Sequence, residues 1–508
     1  MPLTKWQSPT LRHEVDDEGR VTWLELFFDL VYVAALIQLG DRLSSDVSWS
    51  GGAAFVGAFV ILWWTWTGTT AFVNRFPVDD VTHRVLTFVQ MFAVGNIAVL
   101  AATNPENWER WLALAYVGAR LPLLAMYWRV RRSIPSARPV TDYFLRCFGV
   151  SAGLWLVSIA VPGRARLAVW AAALVVEFAA PVILLRRPDG APSDSRQGEA
   201  RYVEHFQERY ALFTIIVLGE TFVKTLSEVG DIGISATSQV FGGLAFAILI
   251  ALWWTYFDDV ADAHIRPTSA LARSSSINRL IWVYTHLPLA LGLTAFGVAA
   301  KKIVATEEFN EPFKDSYTWL LAAALVTTLV AVAVLDLVTV SPHFAIDAPE
   351  RIGPRLVAAA LLVPVAVLLA SGSVDAISGI GLVTAVVVGQ IMVEVVSAHR
   401  SEYRLGRDVR SQIAELAGRC SHLDDATAPA GSPATVCQPC ADKGIDWVQL
   451  RWCLTCGHVG CCDDSPGQHA TVHHRATGHP VIASIEANAT WAYCYPDEVT
   501  DPVWRSTT

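Results

Sequence analysis

Cysteine and histidine residues are concentrated near the end of the sequence. Eight of the nine cysteines lie between residues 420 and 494, and two pairs have the spacing Cys-x-x-Cys. This spacing lets two thiolates reach one zinc ion from a tight turn, whereas a redox Cys-x-x-Cys pair does not need accompanying histidines. We therefore predict a segment that folds around zinc. Its candidate ligands are Cys420, His422, Cys437, Cys440, Cys453, Cys456, Cys461, His469, His473, His479 and Cys494.

Ionisable residues inside long apolar runs form a second group of candidates. A charged side chain in hydrocarbon is costly unless it is paired or hydrated, so each such residue is a candidate for a role in transport. The group consists of Glu25, Asp29, Arg120, Glu177, Glu220, Lys224, Asp258, Asp336 and Glu394.

Two pairs in this group have helical spacing. Glu25 and Asp29 are four residues apart, which places both carboxylates on one face of a helix. They are expected either to pair with a loop arginine or to form a cation or proton site. Glu220 and Lys224 have the same spacing, in the order that favours an ion pair within one helix.

Long apolar runs surround these residues and make up most of the chain. The 508 residues are 53% hydrophobic and only 17% charged, which excludes a single soluble enzyme domain. A membrane-spanning helix needs about 20 mostly apolar residues. We therefore predict an all-α polytopic membrane domain of about twelve helices, followed by a small α+β zinc-binding domain. The runs lie near residues 23–40, 52–73, 83–102, 109–129, 142–161, 166–185, 208–228, 240–258, 278–300, 317–339, 355–371 and 377–397.

The distribution of basic residues predicts the orientation of these helices. Basic loops remain in the cytoplasm, and the main clusters lie at residues 129–138 and 186–209. The N-terminal segment lacks the apolar core and cleavage site of a secretory signal, so the first helix is expected to remain as an anchor. With an even number of helices, both termini are expected in the cytoplasm, where cysteines stay reduced and suit metal binding.

Parts of the sequence resemble each other. Residues 63–66 (Trp-Trp-Thr-Trp) match residues 253–256 (Trp-Trp-Thr-Tyr), and Glu177 and Glu394 follow similar apolar residues in the sixth and twelfth runs. Coincidence is the alternative in a chain with 19 tryptophans. We predict two parallel six-helix repeats, near residues 21–187 and 205–398. The tryptophan clusters are expected to form belts at the membrane surfaces.

The repeat gives a further interpretation of the buried acids. Glu177 and Glu394 occupy matching helices, so they are expected either to couple proton or cation passage or to form structural pairs. Arg120 lies in an apolar run and needs a buried acid. Glu177 and Glu220 are the two candidate partners.

Three motifs of the membrane domain carry a resemblance to a known family. They are residues 23–33 (Trp-Leu-Glu-Leu-Phe-Phe-Asp-Leu-Val-Tyr-Val), residues 208–220 and the Trp-Trp-x-Tyr-Phe-Asp run at 253–258. Over about residues 10–400 the sequence resembles the bacterial low temperature requirement A (LtrA) family. The resemblance implies a multi-pass protein of the bacterial cell membrane whose activity is not established. Residues 28–31 also show a fainter similarity to the Phe-Ser-Asp signature of endolysosomal potassium channels, but the serine is missing.

The C-terminal segment resembles the ubiquitin-protease-type (UBP-type) zinc finger over residues 418–500. The motifs include Trp447, the run Leu450–Gly457, Gly460-Cys461, His469-Ala470, His473 and Thr477–Pro480. The resemblance implies one zinc site formed by Cys437, Cys440, Cys461 and His469, and an interleaved site formed by Cys453, Cys456, His473 and His479. A remaining site would use Cys420, His422 and Cys494, with Asp497 as a candidate fourth ligand. Two or three zinc ions are therefore expected, with Cys462 and His474 as non-ligands.

The same resemblance implies a peptide pocket. Eukaryotic members of the finger bind the free C-terminal carboxylate of ubiquitin between aromatic residues and an arginine, and Trp491 and Tyr493 match the aromatic positions. Where the arginine would stand, this chain has Cys462, Asp463 and Asp464. An acidic pocket repels a carboxylate, so a structural or zinc-sensing role is the alternative to recognition of a peptide C-terminus.

These observations predict the organisation and function of the chain. The expected parts are a cytoplasmic segment (1–20), the membrane domain (21–400), a linker (401–417), the zinc finger (418–500) and a tail (501–508). No enzyme motif occurs in the sequence, and a net charge of -9 gives no support for nucleic-acid binding. We expect a transporter or channel for a small cation or proton-coupled solute, with a regulatory zinc module. The alternative is a membrane scaffold whose finger recruits a peptide or protein C-terminus.

Overall fold

The chain forms two units, residues 1–396 and residues 397–508. The computed structural model describes residues 9, 21–103, 108–184, 196–258, 264–265, 272–305, 312–340, 348–417, 420–486 and 491–501. Most of the predicted N-terminal segment and of the predicted tail therefore lies outside the described residues.

Within the described residues of the first unit, twelve long helices begin. They are α1 (Trp23–Ser45), α2 (Trp49–Arg75), α3 (Val81–Thr103), α4 (Trp108–Ser133), α5 (Arg138–Ser158), α6 (Ala165–Leu184), α7 (Arg196–Ile232), α8 (Ala236–Tyr256), α9 (Ala272–Val304), α10 (Asp315–Val338), α11 (Ala348–Ala370) and α12 (Ala376–Ala417). Two short strands, β1 (His264–Ile265) and β2 (Thr339–Val340), pair in antiparallel fashion. Among the described residues, nine helices are long and apolar enough to cross a membrane, while α4, α5 and α7 fall outside this set. The twelve predicted runs coincide with α1 to α12, and the predicted fold class is confirmed.

Capping chemistry sets the start of α1. The Thr22 hydroxyl accepts a hydrogen bond from the Glu25 backbone N–H at 3.3 Å, and Glu25 Oε2 accepts one from the Thr22 N–H at 2.7 Å. This reciprocal arrangement is a capping box, which satisfies two backbone donors that the helix leaves free. One candidate acid is thereby held at the first turn of α1.

The helix neighbours in the first unit repeat after six helices. Helix α1 packs on α2 and α3, just as α7 packs on α8 and α9. Likewise α3 packs on α4 and α9 on α10, and α4 packs on α5 and α10 on α11. This is the pattern that a parallel duplication requires. The two halves meet where α1 and α2 contact α7 and α9.

The tryptophans of the two matching motifs lie in different surroundings. Trp63, Trp64 and Trp66 of α2 are at most 3% exposed, and the Trp64 ring stacks on Phe178 with centroids 3.9 Å apart. Their predicted position in a surface belt is therefore wrong, because they fill the space between α2 and its neighbours. Trp253 and Trp254 of α8 are 44% and 45% exposed, as residues facing lipid would be.

The second unit contains a five-stranded antiparallel sheet. Its strands are β3 (Leu450–Cys453), β4 (Val459–Cys461), β5 (Val481–Ser484), β6 (Ala492–Cys494) and β7 (Val499–Asp501), in the order β4-β3-β5-β6-β7. The helices are α13 (Ser421–Asp424), α14 (Gln438–Ala441) and α15 (His469–Thr477). The predicted linker 401–417 differs from the structure, because α12 continues through it to Ala417. The helical spacing of charged and apolar residues there, such as Leu405, Val409 and Ile413, accounts for the extension.

Candidate zinc centre and buried charge clusters

Four predicted ligands come together between α14, β4 and α15. Nδ1 of His469 lies 3.4 Å from the Cys437 sulfur, 3.2 Å from the Cys440 sulfur and 3.4 Å from the Cys461 sulfur. The sulfurs of Cys440 and Cys461 are 3.6 Å apart. The corners of a zinc tetrahedron with bonds of about 2.3 Å are about 3.7 Å apart, so the donor set fits this ion.

A close backbone approach builds this cluster. Gly460 precedes Cys461 on β4, and a Cβ atom at Gly460 would lie 2.5 Å from the Ala470 nitrogen. Only glycine therefore lets the first turn of α15 come near enough for His469 to join the cysteines. Burial and the neighbouring sulfurs of Cys437 and Cys461 raise the pKa of the Cys440 thiol to about 12. A bound cation offsets the repulsion between ionised thiols.

A second cluster combines the β3–β4 turn with α15 and with His479, two residues after that helix ends. Nε2 of His473 is 3.3 Å from the Cys456 sulfur and 3.2 Å from Nδ1 of His479. The Cys453 sulfur is 3.5 Å from the same His479 nitrogen. The four ligand atoms lie within 4.8 Å of one another, and a set of two thiolates and two imidazoles suits structural zinc.

The third cluster includes the carboxylate that the sequence left as a candidate. Oδ2 of Asp497 is 2.9 Å from the Cys420 sulfur, 2.8 Å from Nδ1 of His422 and 3.4 Å from the Cys494 sulfur. These three contacts hold the pKa of the Asp497 carboxyl below its ordinary value. Cys462 and His474 lie outside the three clusters, since the Cys462 sulfur contacts the Ser465 hydroxyl and His474 stacks on Tyr495.

An arginine lies beside the predicted peptide-binding aromatics, although not at the position expected from the sequence. The Arg451 guanidinium lies 4.7 Å from the centre of the Trp491 ring. It donates hydrogen bonds to the Leu450 carbonyl and to the Gln449 side chain at 3.0 and 2.7 Å. Tyr493 follows Trp491 by two residues and lies on β6. A positive charge from β3 therefore lies beside Trp491, although residues 462–464 supply none.

In the first unit, Glu25 and Asp29 face α7. Arg209 of α7 lies between them, with Nη1 at 2.9 Å from Glu25 Oε1 and Nη2 at 2.5 Å from Asp29 Oδ1. Trp66 Nε1 donates to Asp29 Oδ1 at 2.7 Å. His205, one helical turn before Arg209, approaches Glu25 with Nε2 at 3.6 Å from Oε1. We call these residues Glu25, Asp29, His205 and Arg209 the α1–α7 acid cluster.

Lys224 joins the same two helices further along. Its Nζ lies 3.4 Å from Asp41 Oδ1 of α1 and 4.0 Å from Glu220 Oε1. The predicted Glu220–Lys224 pair is thus the longer of the two contacts. Lys224 also donates to the Ile37 carbonyl at 3.2 Å. Ile37, Glu220 and Lys224 line a small cavity between α1, α7 and α9.

Arg120 and Glu177 form a pair in the interior of the first half. Both are fully buried, and Arg120 Nη2 contacts Glu177 Oε2. Arg120 also donates from Nε and Nη2 to the Tyr116 hydroxyl at 3.1 and 3.0 Å, and its Nη1 packs against Gly68. Of the two acids left open by the sequence, Glu177 is the partner.

The second half has a buried charge cluster of its own. Arg355 of α11 donates to Glu394 Oε1 at 2.9 Å and contacts Asp336 of α10. Glu177 and Glu394 thus both pair with arginine, but the two arginines come from helices that do not match in the repeat. Asp258 lies at the end of α8, where its carboxylate accepts a hydrogen bond from Trp254 at 3.2 Å.

Sequence reasoning missed several members of these clusters. His205, Arg355 and Arg451 were not among the candidates, and Arg209 was counted only as a basic loop residue. The His205–Arg209 pair has the same four-residue spacing as Glu25 and Asp29, and this matching spacing is a signal that could have identified it.

Two family descriptions match separate parts of the chain. Residues 20–392 match "Bacterial low temperature requirement A protein (LtrA)", and residues 437–504 match "Zn-finger in ubiquitin-hydrolases and other protein". The uncharacterized protein RA0937 of Rhizobium meliloti (strain 1021) is 30% identical over 299 residues, which are 56% of this chain and 71% of that protein.

A solved structure resembles a small part of the chain. The solution NMR structure of protein RPA1320 from Rhodopseudomonas palustris is 44% identical, covers 18% of this chain and 90% of its own, and gives a TM-score of 0.16. The family matches cover both units, and the apolar helices of the first unit suit a multi-pass membrane protein. The chain therefore belongs to the bacterial low temperature requirement A family and carries a C-terminal zinc finger of the ubiquitin-hydrolase type.

Proposed function

We propose that the membrane unit is a transporter that moves a small proton-coupled solute between its two halves. The observation that supports this proposal is a pair of ionic contacts along one inter-half contact, Asp29–Arg209 and Asp41–Lys224. Asp29 and Asp41 are twelve residues apart, or about 18 Å along the helix. Opening one contact while the other stays closed would expose the interior to one side of the membrane at a time.

A buried ion pair often stabilises the packing of two helices no better than apolar side chains of similar volume do. Removing two charges from water costs several kcal/mol for each ion, and apolar residues of similar volume often give equal or greater stability. Asp29 and Arg209 are nevertheless fully or almost fully buried. A buried ion pair that can separate is more useful in a contact that opens and closes than in one that stays closed. This favours a contact between α1 and α7 that moves.

The position of Arg209 favours a proton-coupled solute over passage of a bare cation. Its guanidinium already lies within 2.5 to 2.9 Å of both acids, where a sodium or potassium ion would have to bind. A metal cation would be repelled by this fixed positive charge. Glu177 and Glu394 are likewise held by arginines, so the same argument applies to each half.

The remaining parts of the proposal concern location and the zinc-binding unit. We propose that the protein lies in the bacterial cell membrane with both termini in the cytoplasm, because basic residues cluster on that side. We propose three zinc ions, one for each four-ligand cluster. Four protein ligands leave zinc no open position, so the unit is proposed to regulate or to bind rather than to catalyse.

Flux in liposomes tests the transport function. The full chain, loaded with zinc, is reconstituted and followed with dyes for protons and for potassium, with and without organic solutes in the medium. The wild type is expected to move protons together with a solute, and Asp29→Asn to slow this flux by about 10-fold or more, the effect of losing one charge-assisted contact. Asp142→Asn is the control, because Asp142 and Arg131 form a pair whose side chains are 35% and 43% exposed.

Two results would count against transport. One is unchanged flux in Asp29→Asn, and the other is the absence of proton, potassium or solute flux in the wild type. Either would favour the second function, a membrane scaffold.

The arrangement of Arg451 on Trp491 favours this second function as an addition or an alternative. A cation on an aromatic face can receive the C-terminal carboxylate of a peptide. Peptides with a free and with an amidated C-terminus are titrated into the full chain. Arg451→Ala is expected to weaken binding of the free form by about 10- to 100-fold, the effect of losing one hydrogen bond to a charged group. Equal binding of both forms would refute carboxylate recognition.

A further inference from the structure

A buried contact between Glu25 and His205 lies beside the Asp29–Arg209 pair. His205 and Glu25 are 3% and 6% exposed, and Nε2 of His205 is 3.6 Å from Glu25 Oε1. The other ring nitrogen, Nδ1, is 3.0 Å from Oδ1 of Asn74. With the Asn74 amide oxygen as the acceptor, Nδ1 is the donor and carries the hydrogen of this contact. The second nitrogen, Nε2, therefore faces the carboxylate either with a lone pair or with a proton.

The charges of the α1–α7 acid cluster balance only when one more proton is bound. Glu25 and Asp29 together carry two negative charges, and Arg209 supplies one positive charge. A net charge in a low-dielectric interior is strongly disfavoured. A lone pair of Nε2 facing a carboxylate oxygen adds repulsion, whereas a proton on Nε2 turns the contact into a charge-assisted hydrogen bond.

The ionisable groups around the α1–α7 acid cluster also favour binding of a proton there. Arg129 is engaged by Asp80 at 2.8 Å, so its charge is already matched. His83 of α3 lines the same pocket as Glu25 and is the other imidazole that could take a proton. The charged groups that act on Glu25, His205 or His83 are Asp29, Asp79, Asp80, Arg129, Glu208 and Arg209, and Asp79 is itself paired with Arg84. Acids outnumber bases in this set.

A small pocket lined by residues of α1, α2, α3 and α7 adjoins Glu25. Glu25 and Arg209 form one wall of this pocket. Thr69, Thr70 and Thr87 contribute hydroxyl groups to its lining. Hydroxyl groups around a small space can hold an ordered water molecule, which is the partner that a proton needs in order to leave or arrive.

We propose that the Glu25–His205 contact binds the transferable proton, with the proton on His205 Nε2. This inference rests on the proposed transport function and names the proton as its coupling ion. On release, the proton passes from Nε2 by way of the Glu25 carboxylate, which lines the pocket, to water there, and His205 becomes neutral. Glu25 then loses an ionic partner on α7, and the contact between α1 and α7 weakens.

Carbodiimide modification tests where the proton lies, without any transport assay. This reagent modifies a carboxyl group that is protonated in apolar surroundings, and mass spectrometry of the full zinc-loaded chain gives the extent at Glu25 and Asp29. In His205→Gln the imidazole is lost, so a carboxyl must take the proton. Modification of the peptide with Glu25 and Asp29 is expected to rise several-fold over the wild type at neutral pH.

Two matched variants serve as controls. His286→Gln removes a buried histidine whose nitrogens contact the Tyr256 hydroxyl and the Trp282 carbonyl, and it is expected to behave as the wild type. His83→Gln is also expected to leave the modification unchanged, and an increase in this variant instead of His205→Gln would assign the proton to His83 and overturn the proposal. Equal modification of wild type and His205→Gln would overturn it as well.

Two further measurements keep the inference separate from folding and from transport. Infrared difference spectra of wild type with isotope-labelled histidine, between alkaline and neutral pH, must contain the bands of a protonating imidazole; a carboxyl band alone refutes the assignment. In liposomes, His205→Gln is expected to lose the dependence of solute flux on a proton gradient, while His286→Gln keeps it. Absence of flux in the wild type would refute the transport function but not the proton site, which the modification and infrared results decide.

Discussion

Replacing Arg120 by methionine is expected to destabilise the membrane unit strongly. The guanidinium and the Glu177 carboxylate are both fully buried, so Arg120→Met leaves an unpaired charge in the interior. Breaking a buried ion pair by removing one partner costs about 3–5 kcal/mol. The Tyr116 hydroxyl still donates to Glu177 Oε2 at 2.9 Å, which is why we expect the lower half of this range.

The triple variant Arg120→Met, Tyr116→Phe, Glu177→Met separates charge from packing. It removes both charges together with the hydroxyl that would otherwise lose its partners. Replacing a whole buried ionic group by apolar residues is often neutral or stabilising, so this variant is expected to unfold within about 1 kcal/mol of the wild type.

Unfolding by SDS in mixed micelles, followed by tryptophan fluorescence, measures these free energies. Trp155 reports on the site directly, since its ring stacks on Tyr116 with centroids 4.3 Å apart. Arg84→Met is the control for loss of an exposed pair and is expected to cost at most about 1 kcal/mol. If the single and triple variants were equally destabilised, the reasoning would fail, because the loss would then come from packing and not from an unpaired charge.

Other perturbations test the zinc unit and the α1–α7 contact. Chelation is expected to unfold the sheet of residues 450–501, measured as loss of amide exchange protection, because the metal joins its turns; protection that persists would refute this. Gly460→Ala is expected to push α15 from β4 and release zinc, counted by elemental analysis, with Val472→Ala on the exposed face as control. Trp66→Phe should cost about 1.5–3 kcal/mol in the SDS assay, the effect of losing a hydrogen bond to charged Asp29; no loss would mean that water replaces the indole.

The helices and the metal ligands could be predicted because their signals are local. A run of apolar residues such as residues 317–339 is long enough to cross a bilayer whatever its neighbours are. The ligands Cys437 and Cys440 are separated by two residues and lie on one turn. The grouping of the ligands into interleaved clusters came from the resemblance to a known finger, since spacing alone leaves several groupings possible.

The tryptophans of α2 and the linker mark where local signals were insufficient. A Trp-Trp pair has the same composition whether it faces lipid or the helix interior, and only the packing of α2 against Phe178 decided the matter. The extension of α12 through 401–417 was not predicted, because hydrophobic length marks only the part of a helix that lies in the bilayer. A helix that leaves the bilayer can continue, since its backbone hydrogen bonds are formed within the helix itself.

By itself, the sequence determined that this protein is a membrane protein with a zinc-binding unit, because hydrophobic length and ligand type are properties of short segments. Only the tertiary structure decided which charges meet. Arg209 is 180 residues from Asp29, Arg120 is 57 residues from Glu177, and Arg451 reaches Trp491 from another strand. Such pairs arise where distant helices or strands pack together, and a buried charge can be matched by any opposite charge that this packing brings near. The proton proposed for the α1–α7 acid cluster follows from the position of its four members relative to one another, which only the packing of α1 against α7 determines.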